Sequence, residues 1–301
     1  MKTDVKANST EALYFEGTLK SIGKIVNYFS FPEGLYICTN RSPFHPEDYL
    51  GGDQPGDIGK IKIEDIDYQV VDSKVLVINA KNGKLEYPAS KSELRKGIEE
   101  NIYVVQTGHF IIFGLENLDL EKLLDKKCLI EVDMNFRAQL SKTHTTIHLM
   151  SIVLNEDLAE FWTKIPTMLD VFGNPNFDAL AIVKSKIFPL RAVDSYRLGK
   201  SLKKKGFDIQ KFWEADLEEI SKKMSQRLNK LILNNKKSTI IMKGNGNDLG
   251  DRRSFNIKIN NKDISIPCGG THLNSLSSIE KVKVNLKFGK KKDMLIVETN
   301  L

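Results

Sequence analysis

The chain has 301 residues and a net charge of +6, with 41% hydrophobic and 28% charged residues. That length suits two domains better than one core, and the composition excludes a collagen-like or low-complexity chain. No apolar run approaches the roughly 20 residues of a membrane span, and Cys38, Cys128 and Cys268 are too few and too scattered for a disulfide scaffold.

The amino-terminal stretch MKTDVKANSTEALYF lacks the apolar core of a secretory leader, so a cytoplasmic protein with no membrane partner is expected. From about Ala12 to Phe113, short runs rich in β-branched and aromatic residues (LYFEGTLKSI, GLYICTN, GKIKIEDIDYQV, KVLVINA, VVQTGHFIIF) alternate with Gly, Asn, Asp and Pro. Many short strands with turn signals predict a small β-barrel. One helix interrupts them near Ser90 to Glu100, and LENLDLEKLLDKK reads as another short helix before the strand CLIEVD.

The period then becomes helical from Asn135 to Leu154, and again from Asp216 to Leu233. In the second helix Leu217, Ile220, Met224, Leu228, Leu231 and Ile232 form one apolar stripe, and Asp216 with Glu219 is a capping pair. STIIMK and SFNIKI read as strands flanking the turn GNGNDLG; EKVKVNLKF and DMLIVET read as a closing hairpin. GNGNDLG lacks the Lys and Ser or Thr of a phosphate loop. The pattern as a whole is α+β, with a barrel over residues 1–127 and a second domain over 128–301.

Two spacings carry chemistry. His144 and His148 are four apart and share one helix face. Phe136 and Leu140 precede them on the same row, so the imidazoles border a packed face where each ring needs a polar partner. A shared zinc ion would satisfy both rings. In Cys268-Gly269-Gly270-Thr271-His272 the two glycines permit a sharp turn that lets a thiolate and an imidazole converge. Either spacing alone is more often ordinary packing or surface; together the four residues are of the types that could form a tetrahedral zinc set. Cys38 and Cys128 read as packed thiols, His45 as either site or structure, and His109 shows no partner in the sequence. Two lysine clusters, at Lys200, Lys203, Lys204 and Lys205 and at Lys287, Lys290, Lys291 and Lys292, bias the chain toward polyanions or are simply solvated.

The segments THTTIHL and PCGGTH resemble the paired HxxxH and CGGTH motifs of the alanyl-tRNA synthetase editing domain and its free-standing AlaX-type trans-editing relatives. SPFHP followed by GGDQPGDIG, residues 42–59, is similar to the glycine-rich stretch of that family's amino-terminal barrel, and VDMNFR and LNKLI also fit its pattern. The resemblance implies a barrel followed by an α+β editing domain with helices packed on an antiparallel sheet. It implies zinc at His144, His148, Cys268 and His272, with aminoacyl-tRNA as partner. The implied activity is hydrolysis of mischarged tRNA, most typically seryl- or glycyl-tRNA for alanine.

The resemblance places Ser42, Gly51, Gly52, Gln54 and Asp57 at the amino acid pocket. Thr271 and Gln54 become the candidate catalytic side chains, with the amides of Gly269 and Gly270 as further oxyanion donors. Several positions depart from the family. Asp53 replaces a glycine, Glu47 to Leu50 are added, Ser42 stands for a threonine, Thr146 for an alanine and Pro267 for an acidic residue. The carboxyl-terminal strands lack the family's arginine, and Asp170 to Trp213 is longer than its counterpart. The altered glycine-rich loop and the enlarged middle segment motivate one alternative, a transferase handing the aminoacyl group to a small nucleophile; closed four-ligand coordination would favour a second, a non-catalytic zinc and tRNA-binding module, and a third is a zinc hydrolase with no tRNA partner.

Overall fold

The computed structural model describes residues 9–301; the first eight, on which the reading of the amino terminus partly rests, lie outside the described residues. The fold is mixed α+β. By its contacts the chain divides into two compact units: Met1–Ala138 with Met242–Ser254 and Pro267–Thr271, and Gln139–Ile241 with Phe255–Ile266 and His272–Leu301.

The first unit begins with the short strand β1 (Glu11–Ala12) and a 3-10 turn, where LYFEGTLKSI was expected to run extended. There follow β2 (Lys20–Phe31), β3 (Gly34–Thr39), β4 (Arg41–Ser42), β5 (Gly59–Ile63), β6 (Ile66–Asn79), helix α1 (Lys91–Glu99), β7 (Tyr103–Ile111) and β8 (Lys127–Val132). Six strands close into a barrel in the order β2-β3-β7-β6-β5-β8, while β1 and β4 pair in parallel beside it. Its centre is an apolar cluster that includes Ile25, Ile37, Phe44, Ile61, Val70, Ile111 and Ile130. Ser90 caps α1 by accepting the Glu93 N–H at 3.2 Å.

β8 explains why this unit extends past the division expected at residue 127. The strand is antiparallel to both β2 and β5 and joins the two ends of the barrel. Its ladder bonds therefore belong to the barrel, although its sequence follows the change of pattern. LENLDLEKLLDKK is not an α-helix. Gly114 takes a left-handed φ of 76°, and two 3-10 turns follow, the second capped by Asp119 on the Glu121 N–H. The Asp119 side chain diverts the backbone from helix.

Helix α2 (Met134–Asp157) carries His144 and His148. Thr143, His144, Thr145, Thr146 and Ile147 are all buried, so this stretch is enclosed on every side. Buried hydroxyls need partners: Thr143 and Thr146 donate to the carbonyls of Gln139 and Lys142, one turn back, at 3.0 and 2.8 Å.

The second unit continues with α3 (Phe177–Ala181), β9 (Ile182–Phe188), β10 (Arg191–Arg197), α4 (Lys200–Lys205), α5 (Ile209–Trp213) and α6 (Leu217–Asn234). β11 (Ile240–Gly244), β12 (Arg253–Ile259) and β13 (Lys262–Pro267) form a three-stranded sheet in that order. β14 (Lys283–Phe288) and β15 (Met294–Asn300) complete an antiparallel sheet ordered β14-β15-β10-β9. The stretch from Asp170 to Trp213 thus supplies two of this sheet's four strands.

Helix α6 packs on β14 and is pinned to its backbone. Ser225 Oγ accepts the Val284 N–H at 2.9 Å, and the Asn229 amide bonds both the N–H and the carbonyl of Val282. Asp216 caps α6 on the Glu218 and Glu219 N–H groups. Among the described residues no helix is long and apolar enough to cross a membrane.

Candidate metal centre

His144 and His148 lie one turn apart on α2 with ring centroids 5.0 Å apart. His272 sits against both, at 4.4 Å from His144 and 5.1 Å from His148. Phe255 of β12 walls the group, 4.9 Å from His148 and 4.7 Å from His272. Thr145, between the two α2 histidines, accepts the Leu273 N–H at 3.1 Å and lies 3.4 Å from His272 Nδ1. That contact fixes the ring beside α2, the usual task of a residue behind a metal ligand.

Cys268 is four residues before His272, at the start of a loop held by several groups of the first unit. Its N–H donates to Arg253 O at 3.0 Å. The Tyr14 hydroxyl donates to Gly269 O at 3.1 Å, and the Arg253 guanidinium lies over Phe15, 4.5 Å from the ring centre. Burial raises the Tyr14 pKa, with the Arg253 charge opposing, so Tyr14 is a neutral donor.

The strongest tie is Gln54. Its Nε2 donates to Thr271 Oγ1 at 2.9 Å and its Oε1 accepts the Thr271 N–H at 3.0 Å. One buried amide thereby fixes both the backbone and the side chain of the residue next to His272.

The ligand atoms of His144, His148, Cys268 and His272 all lie within 4.8 Å of one another, and the four can hold a metal ion. Among the described residues, His148 Nε2 is buried and has no hydrogen-bond partner. A buried lone pair left unused costs about 1–3 kcal/mol, and a cation bound by the group removes that cost. Three imidazole nitrogens and one thiolate are a donor set that zinc takes.

The remaining expected site residues are held in the first unit. Ser42 is fully buried and lies 2.9 Å from His109 Nε2, and it accepts the Phe44 N–H at 3.0 Å. His109 Nδ1 lies 2.9 Å from Ile37 O. A carbonyl only accepts, so Nδ1 carries the proton, Nε2 accepts, and Ser42 donates. Burial lowers the His109 pKa to about 4, which keeps the ring neutral. The partner that the sequence does not reveal for His109 is therefore Ser42.

Asp57 is fully buried. Its carboxylate takes Arg137 Nε at 2.8 Å, Arg137 Nη2 and the His45 N–H. Arg137 also donates to Pro43 O at 2.7 Å, so one guanidinium binds both ends of the 42–59 segment. Gly51 lies in an exposed turn at φ 78° and Gly52 follows it, while the added residues are anchored by Lys91 on Asp48 at 2.8 Å. His45 packs edge-on to Tyr14, its ring centroid 5.0 Å away.

Gln54 and Thr271 are thus brought together, and the four metal-type residues form one group. Ser42 and Asp57 are committed to bonds within the glycine-rich segment and from it to His109 and Arg137. Sequence reading missed Arg137, Thr145 and Phe255. Arg137 stands seven residues before His144 on α2, and nothing in its spacing marks it as the partner of Asp57. Cys38 and Cys128 are buried, and desolvation raises both thiol pKa values, Cys128 to about 12, so neither is a reactive thiolate.

No protein-family model matches the chain, and no curated protein matches it.

Proposed function

We propose that the protein is a zinc-dependent hydrolase of the ester bond of aminoacyl-tRNA, acting on mischarged tRNA such as seryl- or glycyl-tRNA for alanine. The observation that carries this reading is the meeting of three separate motif segments. HxxxH and CxxxH supply one four-donor group, and Gln54 of the glycine-rich segment is bonded to Thr271 of the second motif. A zinc ion held by His144, His148, Cys268 and His272 supplies a Lewis acid for attack on an ester carbonyl.

The chain's own residues take the following parts. Gln54 positions the Cys268-to-His272 loop and consumes the Thr271 N–H, so that amide is withdrawn from the set of oxyanion donors. The amides of Gly269 and Gly270 and the Thr271 hydroxyl are the groups assigned to a developing oxyanion. The Ser42 proton goes to His109, so a substrate hydroxyl would have to donate to Ser42 rather than accept from it. Asp57 and Arg137 hold the glycine-rich segment in place rather than touching substrate.

A second reading rests on the same donor group: four protein ligands fill a tetrahedral shell, as in structural zinc sites of binding modules. One panel separates the two. Purified protein is incubated with seryl-, glycyl- and alanyl-tRNA and the products are identified, with His144→Ala and metal-stripped protein as controls. Free amino acid released by the native chain and by neither control is the expected result. A new amide or ester in its place indicates the transferase. Bound tRNA without turnover of any ester indicates the binding module and overturns the hydrolase.

A further inference from the structure

The two lysine clusters are far apart in the sequence but meet in the second unit. β10 ends at Arg197, opposite Met294 of β15, and the next residue, Leu198, donates its N–H to Asp293 O at 2.8 Å. Helix α4 starts two residues later. Its apolar side chain, Leu202, is buried, and this leaves Lys200, Lys203, Lys204 and Lys205 exposed beside the β14–β15 turn. That turn carries Lys290, Lys291 and Lys292, all exposed. The following helix, α5, is tied to the same turn: Trp213 donates its indole N–H to Lys292 O at 2.8 Å, and Phe212 packs edge-on to Phe288 at 5.5 Å.

With Arg197, the helix and the turn hold eight cations, and carboxylates near them along the chain include Asp293, Asp208 and Glu214. Among the described residues none of these eight cations forms an ion pair; the neighbouring Lys211, Arg191 and Lys287 do, with Glu160 and Glu298. A row of lysines at a helix carboxyl end favours the helix dipole, but that does not account for the three lysines on the turn. Trp213 leaves its indole partly exposed next to the turn, and α4 turns its apolar residue inward. A membrane-docking element would present an apolar face beside its basic one.

We propose that this patch is a binding surface for a nucleic-acid backbone, with the phosphates of tRNA as its partner; the choice of tRNA rests on the hydrolase reading. Lysines on a helix end and on an adjoining turn act as point charges along a phosphate chain. They supply affinity without reading sequence.

The test uses the full chain and deacylated total tRNA, followed by fluorescence anisotropy over a series of potassium chloride concentrations. Lys203→Ala/Lys204→Ala/Lys205→Ala removes one half of the patch and Lys290→Ala/Lys291→Ala/Lys292→Ala the other. Lys81→Ala/Lys84→Ala/Lys236→Ala removes three exposed lysines elsewhere. Each patch variant is expected to bind about ten- to a hundredfold more weakly at about 0.1 M salt, and to lower the log–log salt slope by about 2. The control stays within about twofold of the native chain.

Equal losses in all three variants, or none in the patch variants, overturn the proposal. So does binding to phosphatidylserine vesicles with none to tRNA. Uncharged tRNA is the probe, so the result does not depend on ester cleavage. A chain that binds tRNA through this patch and cleaves nothing keeps the surface and loses the hydrolase.

Discussion

Gln54→Leu removes the tie between the glycine-rich segment and the loop that carries Cys268 and His272, while keeping much of the side-chain volume. Gln54 and Thr271 are 1% and 4% exposed, so water does not replace the lost amide. The Thr271 N–H is left without its acceptor, at about 1–3 kcal/mol, and the bond to its hydroxyl adds about 1 kcal/mol. The total is about 2–4 kcal/mol. It falls on a loop also tied by the bonds from Cys268 to Arg253, from Tyr14 to Gly269 and from Leu273 to Thr145. Zinc affinity, measured by competition with a chromophoric chelator, should therefore fall about ten- to a hundredfold. Urea unfolding of the metal-free chain should shift by a smaller amount, since the loop can open locally. Zinc affinity within about twofold of the native value, with unchanged stability, would refute the claim that Gln54 positions the metal-binding loop.

Three further outcomes follow from the first unit's buried polar groups. The folded pKa of His109, about 4, lies below its ordinary 6.5. The neutral ring's stability is thus fully present above pH 6.5 and is lost as pH falls through 6.5 toward 4, up to about 3 kcal/mol at 1.36 kcal/mol per unit. Urea midpoints across this window should fall in the native chain and fall much less in His109→Gln. Arg137→Met strands the Asp57 carboxylate and should cost about 3–5 kcal/mol by urea unfolding, and the double variant with Asp57→Asn should recover part of it. A Cβ at Gly56 would lie 1.9 Å from Ser73 O, a backbone atom that cannot step aside, whereas one at Gly51 meets open space at φ 78°. Gly56→Ala should therefore cost at least about 3 kcal/mol and Gly51→Ala about 1 kcal/mol, compared by thermal unfolding.

The parts of this fold that are legible in the sequence are those written in short-range periodicity. α2 and α6 follow their helical periods, Asp216 caps α6 where its side chain predicts, and the β15 hairpin lies where alternation resumes. The metal group is legible because each half is local: one helical turn joins His144 to His148, and a glycine turn joins Cys268 to His272. Pairings across long stretches of chain are not encoded this way. Nothing in the sequence binds Gln54 to Thr271, 217 residues apart, or Asp57 to Arg137, 80 apart.

The union of the two lysine clusters was equally hidden, since it depends on β10 pairing with β15. The strand β8 was assigned to the second unit because chain order, rather than ladder closure, set the expected boundary. The failed helix at LENLDLEKLLDKK shows apolar periodicity overridden by a left-handed glycine and a competing aspartate cap.

The central claim is that four side chains from two motifs grip a single cation. X-ray absorption at the zinc edge, on protein loaded with one equivalent, tests it most directly. The expected shell is three nitrogens at about 2.0–2.1 Å and one sulfur at about 2.3 Å, with the sulfur contribution absent in Cys268→Ser. A shell of oxygen and nitrogen alone in the native chain, or a sulfur signal that survives that substitution, would contradict it.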